Sequence, residues 1–154
     1  NPGGVFRGRF CGTSCRISVC HPACRDTEIR MGERSSQVEL LVCTLCRRGD
    51  LPDGDGDRPG ARLFGALAAL SLADVRVVPV ECLSNCTRGC TIALRAPGRW
   101  TYVYGELNEG ADLDAIRDGT AAYVAAPDGL VPWRDRPAHF RKNCIARIPP
   151  MGTL

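Results

Sequence analysis

Ten cysteines in a chain of 154 residues are the side chains best able to do chemistry here, because a thiolate is at once a nucleophile, a redox centre and a soft metal ligand. Cys11, Cys15, Cys20 and Cys24 fall among the first thirty residues. Cys43 and Cys46 form a C-x2-C pair, Cys82, Cys86 and Cys90 a C-x3-C-x3-C run, and Cys144 stands apart. Other chemistries lack the residues to carry them. Two histidines, His21 and His139, do not support a Ser/His/Asp triad. Gly54, Gly56 and Gly60 alternate with Asp53, Asp55 and Asp57, whose charge would repel phosphate. The same aspartates imitate the start of an EF-hand loop, but Arg58 holds the glycine position and Phe64 the closing glutamate position, so a solvated acidic loop is expected.

The thiols matter because of the elements that carry them. Val38 to Val42 is an apolar β-type run ending at Cys43. Pro59 suits a first helical turn, and Leu63, Leu67 and Leu70 fall on one stripe, so a helix is expected over Pro59 to Leu72. Val75 to Val80 is a second strand, leading into Glu81 and Cys82. Strands joined this way form a parallel βαβ unit. A hairpin follows, with strands at Thr91 to Arg95 and Trp100 to Tyr104. Asp112 is placed to cap a last helix bearing Leu113, Ile116, Thr120, Tyr123 and Val124. The order β-α-β-β-β-α is that of a thioredoxin-like α/β domain, expected over 38–126. Residues 127–154 are expected as an irregular tail packed on it, either strapping Trp133 and Phe140 over the core or presenting Arg134, Arg136, Arg141, Lys142 and Arg147 to an acidic partner.

Neighbouring parallel strands bring their exit loops to one sheet edge. Cys43 and Cys46 thereby converge with Cys82 and Cys86, and four convergent thiolates suit a four-cysteine zinc site or an iron–sulfur cluster. The C-x3-C pair is one residue wider than a zinc knuckle. Cys90 is in phase with Ile92 and Leu94, so it is either a small buried core residue or an alternate ligand for Cys86; Cys144 is read as non-ligating. The C-T-L-C motif at Cys43 also invites dithiol oxidoreductase chemistry through Cys43 and Cys46, although loop rather than helix follows it.

The Glu81-Cys82-Leu83-Ser84-Asn85-Cys86 segment resembles the E-C-L-x-x-C segment of thioredoxin-like [2Fe–2S] ferredoxins and of the related small subunit of respiratory NADH dehydrogenase. In those ferredoxins the first two ligands are separated by a longer loop than the one between Cys43 and Cys46. The C-T-L-C segment, the run Cys82 to Thr91, the G-R-W-T-Y-V-Y-G segment at Gly98 to Gly105 and the closing A-R-I-P-P are similar to a bacterial family of proteins described as predicted metal-binding. The ferredoxin resemblance implies a [2Fe–2S] one-electron carrier that catalyses nothing alone, serves a redox partner protein and forms a homodimer; similarity to the metal-binding family implies metal binding without specifying a reaction. A zinc-stapled interaction module is the alternative.

Composition bounds the rest. The net charge of +3 is accounted for by residues 1–30, where Arg7, Arg9, Arg16, Arg25 and Arg30 outnumber Asp26 and Glu28, leaving no basic footprint for nucleic acid on the body of the domain. No apolar run is long enough for a membrane span. Residues 1–30 show no periodicity and precede Met31, the first methionine; they are expected to be a disordered extension or sequence upstream of the true start, the extension reaching through a polar lead to make up 1–37, and the rival is a small zinc site of Cys11, Cys15, Cys20, His21 and Cys24. The lack of a signal-peptide core and the clustered thiols point to the cytoplasm.

Overall fold

The computed structural model describes residues 38–47 and 57–152. The expectations for 1–37, including the Met31 start and the zinc site of Cys11 to Cys24, lie outside the described residues, as do Asp53 and Asp55.

Strand β1 runs Val38–Cys43 and is buried except at Glu39, as suits a central strand apolar at every other position. Helix α1 follows at Pro59–Ala69, with proline at its start and Leu63 and Leu67 fully buried. It stops short of the expected Leu72 because Ser71 and Asp74 take left-handed backbone (φ 46° and 57°), which turns the chain into β2. Strand β2, Val75–Val80, pairs parallel with β1 in the register Val38 with Val75 to Cys43 with Val80.

Strands β3 (Cys90–Arg95) and β4 (Thr101–Leu107) form the expected hairpin. β4 runs past Tyr104, and the pairing shifts register between Cys90 and Ile92. Helix α2 spans Leu113–Ala125. Asp112 precedes it without capping any helical N–H; its carboxylate instead accepts from the Asn108 N–H at 2.7 Å, closing the loop that leads in.

The C-terminal residues differ most from expectation. They are an integral part of the sheet layer rather than an irregular tail: α3 (Ala138–Lys142) precedes β5 (Cys144–Ile148), which pairs antiparallel with β4. Five residues with mixed polarity on an edge strand carry too little periodicity to be read alone. Phe140 is buried at 2% exposure and stacks on Tyr104 with ring centroids 3.9 Å apart, while Trp133 stays 59% exposed. Arg136 lies over the Tyr102 ring and donates to the Val131 carbonyl, and Arg147 lies over Trp100. These two arginines thus cover core rings, which settles part of the basic tail as structural.

The sheet order is β2-β1-β3-β4-β5, with β1 and β2 parallel and the other pairs antiparallel. A parallel βαβ unit joined edge to edge with an antiparallel ββα unit is the thioredoxin-like arrangement. One core joins Leu40, Val42, Ile92, Leu94, Tyr102 and Tyr104 of the sheet to Leu63 and Leu67 of α1, Ile116 and Tyr123 of α2, and Phe140 of α3. Side chains alternate across a strand. On the other face Glu39 bridges Arg76 of β2 and Arg95 of β3, tying three strands together.

Candidate metal centre

Cys43 ends β1 and Cys82 lies two residues beyond the end of β2, so the register that pairs Cys43 with Val80 carries both thiols to one sheet edge. The pairing continues past the strands. Thr44 N–H donates to the Val80 carbonyl at 2.8 Å and Leu45 N–H to the Glu81 carbonyl at 3.1 Å, so the C-x2-C loop is fastened to the approach to Cys82. The Cys43 thiol also faces the Glu81 carbonyl, at 3.5 Å. The start of α1 closes the loop from the other side, where Gly60 N–H donates to the Cys46 carbonyl at 3.3 Å.

The four predicted thiols lie at one sheet edge and influence one another's ionisation. Cys43 perturbs Cys46, Cys86 and Cys43 perturb Cys82, and Cys82 and Cys43 perturb Cys86. Their surroundings differ. Cys43 and Cys46 are buried, at 1% and 0% exposure, whereas Cys82 and Cys86 are exposed. Burial first, then the neighbouring Cys43, pushes the Cys46 thiol up to about 12, against a smaller opposing contribution from Thr91. The Ser84 N–H, donated to Cys82 Sγ at 3.2 Å, is the main cause that lowers the Cys82 thiol, with Cys86 and Cys43 assisting; Cys86 is raised, chiefly by Cys82 beside it.

A backbone N–H aimed at sulfur stabilises thiolate whether the sulfur is free or ligating. Ser84 achieves it by taking left-handed backbone, φ 56°. Sequence reasoning missed Ser84, Thr91 and Gly60 as members of this site. The polar Ser84-Asn85 step inside C-x3-C is the signal that marks a tight turn there. Asn85 Nδ2 donates to Thr91 Oγ1 at 2.9 Å, fixing the turn to β3 beside Cys46. No residue-type pattern points to Gly60, whose role rests on close backbone approach.

Cys90 is fully buried at the head of β3 within the main core. Cys144 on β5 is half-buried, bonds the Ala146 carbonyl at 3.6 Å and has its thiol raised by burial. None of the six described cysteines is in a disulfide. Arg88, in the turn after Cys86, is ion-paired with Glu106 at 3.2 Å.

Burial also decides a point on dithiol chemistry. An attacking thiol must be reached by its substrate, and the C-x2-C pair singled out for that role is the buried one. The accessible pair is Cys82 and Cys86. The donor set, four thiols brought to one sheet edge, fits a thiolate-bound metal in its chemistry. As they stand, no three His, Cys, Asp or Glu side chains among the described residues are gathered closely enough to hold an ion.

Fold and thiols together define a thioredoxin-like α/β domain with a cysteine cluster at the shared end of its parallel strands. The family model described as "Protein of unknown function (DUF1636)" matches residues 40–150, and the chain belongs to that family. No curated protein matches it. Among solved structures, a thioredoxin-like [2Fe–2S] ferredoxin from Aquifex aeolicus is similar at 17% identity and a TM-score of 0.49, over 78% of this chain and 100% of that one. Among the described residues no helix is long and apolar enough to cross a membrane.

Proposed function

We propose that this protein binds metal through Cys43, Cys46, Cys82 and Cys86, as a [2Fe–2S] one-electron carrier that works with a redox partner protein and has no catalytic activity of its own. The observation that supports this reading is the convergence of the two cysteine pairs at one sheet edge, on two loops fastened to each other by backbone hydrogen bonds. Such a cluster exchanges single electrons at a potential set by hydrogen bonds to its sulfurs, by exposure and by charge. In this chain the Ser84 N–H supplies one such bond to Cys82. The buried pair would shield one side from water and the exposed pair would face the partner. Ligation would draw the two loops inward and require the Cys46 thiol, raised by burial, to release its proton to solvent.

Zinc held by the same four thiols is the second reading, favoured by the C-x2-C spacing of Cys43 and Cys46 and by the N–H to sulfur bond at Cys82. Absorption and metal content of protein purified without oxygen separate the two. An iron–sulfur protein is red-brown with about two irons and two sulfides per chain. Colourless protein with one zinc per chain overturns the electron-carrier reading, and protein with no metal overturns both.

A further inference from the structure

The two exposed thiols of the cluster are arranged for a reaction that needs no metal. Cys82 and Cys86 are both open to solvent and stand four residues apart in the one short loop between β2 and β3. The loop between them curls back on itself. Ser84 takes φ 56° and donates its N–H to Cys82 Sγ at 3.2 Å, and the turn at Cys86–Arg88 is closed by the Arg88 N–H on the Asn85 carbonyl at 3.2 Å. Both sulfurs sit beyond the end of β2 and before β3, so joining them changes side-chain torsions in one short loop and leaves the sheet register alone. Cys43 and Cys46, at 1% and 0% exposure, are closed to any substrate larger than a proton donor.

We propose that the metal-free protein is a thiol–disulfide exchange site through Cys82 and Cys86, taking small disulfides of the glutathione class as oxidising substrate. This rests on the metal reading only in that the same exchange then gates metal loading, because a sulfur in a disulfide cannot ligate. One of the two thiols, as thiolate, attacks a sulfur of R–S–S–R; that S–S bond breaks and RS− leaves, taking up a proton. The second thiolate attacks the protein sulfur of the mixed disulfide, forming the Cys82–Cys86 bond and releasing the second RSH. The protein loses two electrons and two protons, and the substrate disulfide becomes two thiols.

The test uses the full chain, stripped of metal by chelator under reductant, freed of both without oxygen and incubated with glutathione disulfide. Free thiols are then alkylated and peptides mapped by mass spectrometry, so that the cysteines of residues 1–30 are read separately. The expected first product is the Cys82–Cys86 crosslink, with Cys43 and Cys46 alkylated only after unfolding. Cys82→Ser and Cys86→Ser each stop at a glutathione adduct on the remaining thiol; these are exposed, near-isosteric changes, and the wild-type map decides the matter without them. A first crosslink within Cys43–Cys46 or between Cys43 and Cys82 overturns the proposal, as does the lack of any crosslink at Cys82. Zinc uptake by the same reduced preparation tests the metal reading by itself. Exchange without uptake sinks that reading alone, and uptake without exchange sinks this one alone. Where both hold, oxidised protein takes up less than about a tenth of the zinc that reduced protein does, and reductant restores it; undiminished uptake overturns the gate.

Discussion

Gly60→Ala tests how the site is built, because Gly60 is where α1 meets the thiol loop backbone to backbone. A Cβ at Gly60 would fall inside the contact radius of the Cys43 carbonyl oxygen, 3.0 Å from the Thr44 oxygen and 3.1 Å from the Cys46 nitrogen. None of these atoms is the end of a flexible side chain. Relief therefore requires α1 and the loop to part by about 1 Å, and overpacking of this kind costs roughly 1–3 kcal/mol. Alanine returns at most about 1 kcal/mol of helix propensity, less so in a first turn. The net expectation is a loss of about 1–2 kcal/mol, or a Tm lower by roughly 4–8 °C for a domain of this size. Gly65 in the same helix is the matched control. It is exposed and a Cβ there meets nothing within 4 Å, so Gly65→Ala should raise stability by up to about 1 kcal/mol. The assay is thermal and urea unfolding of both variants, with metal uptake measured in parallel; Gly60→Ala should lose uptake as Cys43 and Cys46 are displaced, and Gly65→Ala should not. If Gly60→Ala is as stable as wild type, or if the two alanines behave alike, the close approach of α1 to the thiol loop is refuted.

Thr120 is buried at 1% exposure with its hydroxyl lacking a hydrogen-bond partner, so Thr120→Val should raise the urea midpoint, by about 1 kcal/mol in stability, and a fall would show that the hydroxyl is satisfied. Hydrogen bonds from Arg76 and Arg95 hold the Glu39 carboxyl below the usual carboxylate range. Its contribution is therefore fully present above the ordinary value of about 4.3 and lost as pH falls through the lowered one. Urea midpoints of wild type and Glu39→Gln should accordingly converge as pH is lowered from about 5 to 3; a constant gap would contradict the assignment. Cys90→Ala should leave metal content unchanged and cost about 1 kcal/mol, as for a small buried side chain in a core, whereas loss of metal in that variant would make Cys90 a ligand.

The strands and helices that position the thiols were legible in the sequence because each has a strong local signal. Val38 to Cys43 and Val75 to Val80 are apolar β-type runs interrupted by a single charge each, Glu39 and Arg76, and Pro59 with Leu63 and Leu67 marks a helix between them. A βαβ unit with such short strands leaves little choice but to put Cys43 beside the approach to Cys82. The fold class and the convergence of the two pairs follow from that local information alone. Three things did not. β5 and α3 owe their existence to partners distant in the chain, β4 for the strand and Tyr104 for Phe140, and no five-residue pattern encodes such a partner. Asp112 looked like a helix cap, but its carboxylate satisfies the nearer Asn108 N–H, a choice made by loop geometry. Access to the thiols was also hidden. Both pairs read alike as two cysteines in a loop after a strand, yet the close seat of Gly60 against Cys43 to Cys46 buries one pair, and the left-handed Ser84 turns the other out to solvent. Spacing along the chain determines which sulfurs can meet; only packing of one element on another determines which of them water and a substrate can reach.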